Sequence, residues 1–213
     1  MKYKHWFFDL DGTLARTGED IVVAWKGALT ALGRDLTHFD EVFKIGPTLE
    51  KIVYELYDDA TPQLVEDLMA RFKPLYDESG FPNTVPHPGV LELLAAIKAS
   101  GGRAYIVTNK RHSATQLIAK KFGWDRALDG VWSYDTFETK YKKPELLAKL
   151  LKDLGVDPKD AVMVGDTKGD VDAGKANSMA TIGVTWGYGT PDEVSSADHV
   201  LASAVEIAKN LVK

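Results

Sequence analysis

The sequence predicts an α/β fold in which a doubly wound parallel sheet carries an inserted helical cap. From residue 85 onward, short apolar segments alternate with segments of helical periodicity. That alternation is typical of a parallel sheet with helices on both faces. An earlier apolar segment, residues 3–8, also resembles a buried strand, yet the next predicted strand begins only at residue 103. The stretch between them shows helical periodicity, so it is predicted to be an insertion into the sheet domain.

The inserted stretch is predicted to contain helices and no strand. Its first helix, residues 18–33, has apolar side chains on one stripe, and Pro62 fits the first position of its last helix. The four predicted cap helices cover residues 18–33, 38–44, 48–57 and 62–79. The turn-rich segment NTVPHPG, which begins at Asn83, marks the return to the sheet domain. We therefore predict a core domain of residues 1–14 and 85–213 and a cap domain of residues 15–84.

The core is predicted to alternate six strands with helices. A Gly-Gly pair at 101–102 ends the first of these helices, and Ser203 with Glu206 forms a capping-box pattern at the start of the last. The predicted strands are residues 3–8, 103–107, 130–133, 160–164, 181–184 and 199–201. The predicted core helices are residues 90–99, 113–122, 144–154, 169–176 and the segment from Ser203 onward.

Composition excludes several classes of function. The 213 residues carry a net charge of -5 without a basic block, so a nucleic acid or an anionic membrane is not expected as a partner. The absence of cysteine excludes disulfides, thiolate catalysis and cysteine zinc sites. No apolar run reaches the ~20 residues that cross a bilayer, and the N-terminus does not resemble a signal peptide. We expect a cytoplasmic protein, monomeric or homodimeric.

Polar side chains follow three predicted strands at the point where each strand ends. In open parallel sheets, ligands bind beyond these carboxyl ends. The candidate residues at this edge are Asp9, Asp11, Thr108, Asn109, Lys143, Asp166 and Asp170. Several carboxylates in one place repel one another unless a cation neutralises them. Oxygen ligands without His or Cys favour Mg²⁺, and the set as a whole suits phosphoryl transfer.

Four short motifs in this set resemble those of the haloacid dehalogenase superfamily, in its phosphatase majority. The motifs are DLDGTL at 9–14, VTNK at 107–110, KKP at 142–144 and GDTKGD at 165–170. They occur in the family's order, with the cap between the first and second. Each motif alone is weak, and together they are specific. The resemblance implies a Rossmann-like core.

The resemblance also implies roles. Asp9 would be the nucleophile that forms an aspartyl-phosphate, and Asp11 would protonate the leaving alcohol and then activate water. Thr108 and Lys143 would bind the phosphoryl group. The Asp9 carboxylate, the Asp11 carbonyl and Asp166 would hold Mg²⁺. Asp170 would orient these ligands without binding the metal itself.

Some assignments at this edge have a structural alternative. Lys143 could be a solvated residue at a helix start; it is chosen from three nearby lysines because Pro144 marks that start. Asn109 could bind phosphate or satisfy the turn backbone. Asp170 could also cap the helix that follows it. The triplet at 110–112, Lys-Arg-His, is expected in solvent.

Three further segments resemble particular branches of the family and so bear on the substrate. FKIGPTL in the cap and VTWGYGT at 184–190 resemble phosphoglycolate phosphatases and a 5′-nucleotidase-like branch, and YDESGFPNTVPHPGV resembles the latter. The expected partner is a small phosphorylated metabolite, either phosphoglycolate or a nucleoside 5′-monophosphate. A phosphomutase on the same core is a second enzymatic alternative, and a phospho-aspartate receiver module a non-enzymatic one. Lys44 and Gly46 are candidates for substrate recognition in the cap, or simply the end of a helix.

Overall fold

The structure, a computed structural model, describes residues 1–212 and contains a six-stranded parallel sheet. This confirms the predicted α/β fold and all six strands, with ends that differ by at most two residues from the prediction. The strands are β1 (His5–Phe8), β2 (Ala15–Arg16), β3 (Val85–Pro86), β4 (Arg103–Thr108), β5 (Gly130–Ser133), β6 (Ala161–Gly165), β7 (Ala180–Val184) and β8 (His199–Leu201). The order in the six-stranded sheet is β5-β4-β1-β6-β7-β8, and β2 and β3 form a separate pair.

The helices begin and end close to their predicted positions. They are α1 (Gly18–Ala31), α2 (Phe39–Val42), α3 (Leu49–Leu56), α4 (Pro62–Asp77), α5 (Val90–Ala99), α6 (His112–Lys121), α7 (Lys143–Leu154), α8 (Lys168–Ala176), α9 (Pro191–Val194) and α10 (Ala204–Ile207). Short 3₁₀ helices lie at Trp124–Arg126 and Pro158–Asp160, and a π-helical turn at Ala208–Val212 follows α10. The sequence pattern did not predict α9. None of the helices within residues 1–212 has the length and apolar character of a membrane span.

The central strands are buried on both faces, which explains why their sequences are continuous apolar runs rather than alternating ones. Phe7 of β1 stacks on Tyr105 of β4, with ring centroids 4.8 Å apart. These two rings belong to a core cluster with Met163 of β6 and the leucines of α7. Burial of each such leucine stabilises the fold by about 1.5–3 kcal/mol. The leucines are Leu146, Leu147, Leu150 and Leu151.

Strand β1 lies in the middle of the sheet, between β4 and β6. Its last residue, Phe8, is in register with Ile106 on one side and Val164 on the other. The chain builds outward from β1 through β4 to β5, and then returns to the other side of β1 to add β6, β7 and β8. The order of the strands therefore reverses at β1, and a crevice at the carboxyl ends is expected there.

The chain divides into two compact units, residues 1–16 with 85 onward, and Thr17–Thr84. The predicted cap began at residue 15, whereas Ala15 and Arg16 here form β2, which pairs antiparallel with β3. A pair of two-residue strands leaves no periodic pattern in the sequence, so this short ladder at the junction was not predicted.

The second unit is a helical bundle built around Trp25 of α1. The Trp25 ring lies 5.3 Å from that of Phe43 and 6.0 Å from that of Phe72, measured between centroids. The buried carboxylate of Asp20 accepts hydrogen bonds from the Thr84 hydroxyl, at 2.6 Å, and from the backbone and side-chain amides of Asn83. Asp20 thereby joins the first helix of the unit to its last residues.

The buried imidazole of His87 is predicted to make the free energy of unfolding depend on pH. Its side chain is buried, its Nε2 has no hydrogen-bond partner among residues 1–212, and burial and then the Arg16 charge lower the pKa of His87 to about 4. The unfolded chain binds this proton more readily, so the free energy of unfolding should fall as the pH drops from about 6.5 toward about 4. Relative to a His87→Phe variant, the wild type should lose on the order of 1–3 kcal/mol over that window, measured by urea unfolding.

His38→Phe is the matched control, because His38 is exposed. That variant should keep the pH dependence of the wild type. If His87→Phe and the wild type lose stability in parallel, the buried neutral imidazole does not contribute to it.

Candidate active site

The carboxyl edge of the sheet gathers most of the predicted site residues. Asp9 directly follows β1 and donates its backbone N–H to the Val164 carbonyl at 2.9 Å. Thr108 ends β4, and Asp166 directly follows β6. All three of these side chains are buried, although each is polar. The parallel register of β1, β4 and β6 is what brings these positions to one edge.

Lys143 links two of the carboxylates. Its Nζ donates to Asp9 Oδ1 at 2.8 Å and to Asp170 Oδ1 at 2.5 Å. Lys143 is the first residue of α7, rather than the residue before the helix as predicted, because the preceding Lys142 is the N-cap. Lys142 is exposed and Lys143 buried, so the choice of Lys143 among the neighbouring lysines agrees with its burial.

Three buried carboxylates form a cluster that fits a hard divalent cation. One oxygen each from Asp9, Asp166 and Asp170 lies within 4.8 Å of the others. Lys143 contributes one positive charge against these three negative ones. The donors are all oxygens, which suits Mg²⁺ better than a softer transition metal.

The pKa values of the cluster are shifted first by burial and then by the neighbouring charges. Burial, which outweighs the attraction of Lys143, raises the pKa of Asp9 to about 7. Burial and then the Asp170 charge raise the pKa of Asp166 to about 6. Burial alone would lower the pKa of Lys143, but Asp170 and Asp9 outweigh it, so the pKa of Lys143 lies above its usual value. A bound divalent cation would favour the ionised form of these carboxylates.

The loop after β7 fixes Asp166, and the sequence motifs alone did not predict this role. Asp166 Oδ2 accepts the backbone N–H of Tyr188 at 2.7 Å and that of Gly189 at 3.3 Å, and Oδ1 accepts the Thr13 hydroxyl at 2.9 Å. A Cβ at Gly187 would lie 2.2 Å from Asp166 Oδ2, so the close approach requires glycine there. The glycines of the WGYG segment were the available signal.

Asp170 has two structural functions at once. Its Oδ2 accepts the Thr167 backbone N–H at 3.1 Å and the Thr167 hydroxyl at 2.7 Å, while its Oδ1 contacts Lys143. The helix N-cap of α8 is therefore Thr167, and Asp170 is the third helical residue of a capping box. The interpretation of Asp170 as the N-cap itself was wrong by three residues.

Asp11 contacts a second lysine, Lys110, which the sequence predicts to lie in solvent. Lys110 Nζ lies 2.9 Å from Asp11 Oδ1 and 3.3 Å from Oδ2, and the Lys110 side chain is only 6% exposed. The solvent prediction was therefore wrong for Lys110. It was also wrong for His112, which is half-buried, donates its backbone N–H to Asp135 and contacts Thr136 through Nδ1.

The remaining predicted residues lie outside this network of contacts. Asn109 is exposed directly after β4, and its role in phosphate binding stays a prediction. Lys44 and Gly46 are exposed in the loop between α2 and α3, because α2 ends at Val42 rather than at residue 44. The cap assignments therefore rest on their place in that loop.

The fold and the charged residues at the carboxyl edge of the sheet identify the class of hydrolase to which the chain belongs. The sheet order, the carboxylates after β1 and β6 and the lysine of α7 combine with a family match, that of the haloacid dehalogenase-like hydrolases, over residues 6–184. The chain belongs to this family, and the prediction of a phosphatase-type hydrolase is confirmed at that level.

Relatives carry both of the names that the sequence suggested. A phosphoglycolate phosphatase of Aquifex aeolicus is 32% identical over 182 residues, which cover 85% of this chain and 84% of that protein. A 5′-nucleotidase of Pseudomonas aeruginosa is 32% identical over 205 residues, covering 91% and 88%. The crystal structure of a predicted phosphoglycolate phosphatase from Haemophilus somnus superposes with a TM-score of 0.86 at 24% identity, over 98% of both chains, and supports the fold.

The metal site can be tested by binding. Asp166→Asn removes one negative charge from the cluster and should weaken Mg²⁺ binding by at least ~10-fold. Isothermal titration calorimetry and the Mg²⁺-dependent rise of the melting temperature both measure this. Asp172→Asn is the matched control, because Asp172 is an exposed residue of α8 that pairs with Lys168. Equal Mg²⁺ affinity of Asp166→Asn and the wild type would remove Asp166 from the ligands.

Proposed function

We propose that this enzyme is a Mg²⁺-dependent phosphatase that hydrolyses a small-metabolite phosphomonoester through an aspartyl-phosphate, with phosphoglycolate as the first candidate substrate. The observation that carries the proposal is the buried Asp9 carboxylate at the end of β1, held by Lys143 beside Asp166 and Asp170. A carboxylate fixed at a switch point, next to a cation and other acids, is equipped to attack phosphorus.

In the first half of the reaction, an Asp9 carboxylate oxygen attacks the phosphorus atom. The bond between phosphorus and the ester oxygen breaks, and that oxygen takes a proton from the Asp11 carboxyl group and leaves as the alcohol. Asp9 and Asp11 are two residues apart, so neighbouring positions supply the nucleophile and the acid. The product of this half is the aspartyl-phosphate on Asp9.

In the second half, a water molecule attacks the phosphorus of the aspartyl-phosphate. The Asp11 carboxylate takes the proton of that water, the bond between phosphorus and the Asp9 oxygen breaks, and phosphate leaves. Both carboxyl groups return to their starting state. Free phosphate is the expected product, whereas a phosphomutase would return the phosphoryl group to a sugar.

The groups around Asp9 are proposed to stabilise the negative charge on the phosphoryl group during the reaction. The Lys143 ammonium and the Thr108 hydroxyl are the proposed ligands of the phosphoryl oxygens. The Asp9 carboxylate, the Asp11 carbonyl and Asp166 would hold Mg²⁺, which supplies positive charge toward the phosphoryl group. Asp170 keeps Lys143 in place, and the loop at Tyr188 and Gly189 keeps Asp166 in place.

The second candidate substrate is a nucleoside 5′-monophosphate. It is favoured by the 5′-nucleotidase relative, whose alignment extends over 205 residues. The core residues are expected to act on either ester in the same way, because only the alcohol differs. We assign the choice between the substrates to the cap. We place the enzyme in the cytoplasm.

The nucleophile is tested by Asp9→Asn. Because an amide oxygen is a poor nucleophile, turnover of p-nitrophenyl phosphate should fall by about 10³-fold or more, measured as release of p-nitrophenol. Asp160→Asn, an exposed aspartate that pairs with Lys4, should retain wild-type activity. Substantial turnover by Asp9→Asn would refute the proposed covalent intermediate.

Substrate recognition by the cap is tested by Lys44→Ala. Loss of this exposed cation should change the ratio of kcat/KM for phosphoglycolate and a nucleoside 5′-monophosphate by up to about 5-fold, since a single exposed ion pair contributes up to ~1 kcal/mol. The affinity for Mg²⁺ should stay unchanged. Lys51→Ala, which removes another exposed lysine of the second unit, is the control. An unaltered substrate ratio in Lys44→Ala would exclude this role for Lys44.

A further inference from the structure

The two carboxylates of the DLD segment are held by two different lysines. Asp9 contacts Lys143 of α7, whereas Asp11 contacts Lys110, the second residue after β4. The Asp11–Lys110 pair is largely withdrawn from solvent, with 14% and 6% of the two side chains exposed. Ordering the lysine side chain costs conformational entropy and burying the two charges costs solvation, so such burial points to a position that the fold specifies.

The backbone around Lys110 is fixed on both sides. The Lys110 N–H donates to the Thr108 hydroxyl at 3.2 Å, and two residues later the His112 N–H donates to Asp135 at 2.8 Å. The turn between β4 and α6 is therefore anchored at each end. The Lys110 side chain leaves an anchored backbone and meets the Asp11 carboxylate.

Both carboxylate oxygens of Asp11 lie near the ammonium, at 2.9 and 3.3 Å. A cation placed beside both oxygens limits rotation of the carboxylate. The Lys143 Nζ bonds Asp9 and Asp170 instead, so the two lysines have different carboxylate partners.

We propose that Lys110 is a positioning residue for Asp11, which holds the carboxyl group in the orientation from which it protonates the leaving alcohol. This inference rests on the proposed phosphatase mechanism and adds a component to it. When the ester bond breaks, the proton moves from Asp11 to the ester oxygen. Asp11 is left as a carboxylate paired with Lys110, and the pair persists until water returns the proton in the second half.

Leaving-group dependence separates this role from a merely structural one. An alkyl alcohol leaves poorly without a proton, whereas p-nitrophenolate leaves without one. Lys110→Met should therefore lower kcat/KM for phosphoglycolate, or for adenosine 5′-monophosphate if that is the substrate, by about 10–100-fold. For p-nitrophenyl phosphate the loss should stay within about 3-fold, because general acid catalysis contributes little there. The ratio kcat/KM is used because it reports the steps up to the aspartyl-phosphate.

A double variant identifies the partner of Lys110. In an Asp11→Asn background, Lys110→Met should lower kcat/KM for the alkyl phosphate no further, since the two residues act as a unit. If Lys110 instead bound the substrate directly, its loss would lower kcat/KM in that background as well. That additive result would overturn the proposal.

Two further variants serve as controls for the Lys110→Met experiment. Lys120→Met replaces an exposed lysine of α6 and should leave both kcat/KM values unchanged. Lys110→Gln provides a second uncharged variant if Lys110→Met melts at a much lower temperature. Equal losses on the alkyl and aryl phosphates, with Asp9 still essential, would refute the role of Lys110, whereas turnover by Asp9→Asn would refute the phosphatase mechanism itself.

Discussion

The structure depends on how negative charge is held at the carboxyl edge of the sheet. Asp9, Asp166 and Asp170 meet there, and the Lys143 ammonium bridges Asp9 and Asp170. Without such a cation, the buried carboxylates would either repel one another or take up protons. The negative charge that Lys143 leaves uncompensated fits this edge to a divalent cation, and burial together with that charge raises the pKa values of Asp9 and Asp166.

The fold supports this arrangement at some distance from the carboxylates themselves. The α7 leucines pack against the sheet beside Phe7 and Met163, and so place Lys143 at the start of their helix over the edge. The loop after β7 donates two backbone N–H groups to Asp166, and glycines allow that approach. Core packing and loop geometry thus determine the chemistry of the site through the positions they give to a few charged groups.

The sequence was most informative for strands that are buried on both faces, because such burial requires a continuous run of apolar residues. Strands covered on both faces read as apolar runs, so β1, β4 and β6 were predicted, and the polar residues after them marked the edge. It was least informative for contacts between distant segments. Lys110 occupies a turn that resembles a solvated helix start, and nothing next to it in the chain shows that Asp11 lies 2.9 Å away. The pairing of β2 with β3, which stand on either side of the inserted segment in the chain, is another contact of this kind.

By itself, the sequence determined the α/β class, the inserted helical segment, the family and the main charged residues of the site. These follow from local patterns and short motifs, which do not depend on how distant parts of the chain meet. Only the tertiary structure decided which lysine holds which aspartate, that Asp170 completes a capping box, and that a glycine loop fixes Asp166. Those facts depend on distances between residues far apart in the chain, and folding alone sets such distances.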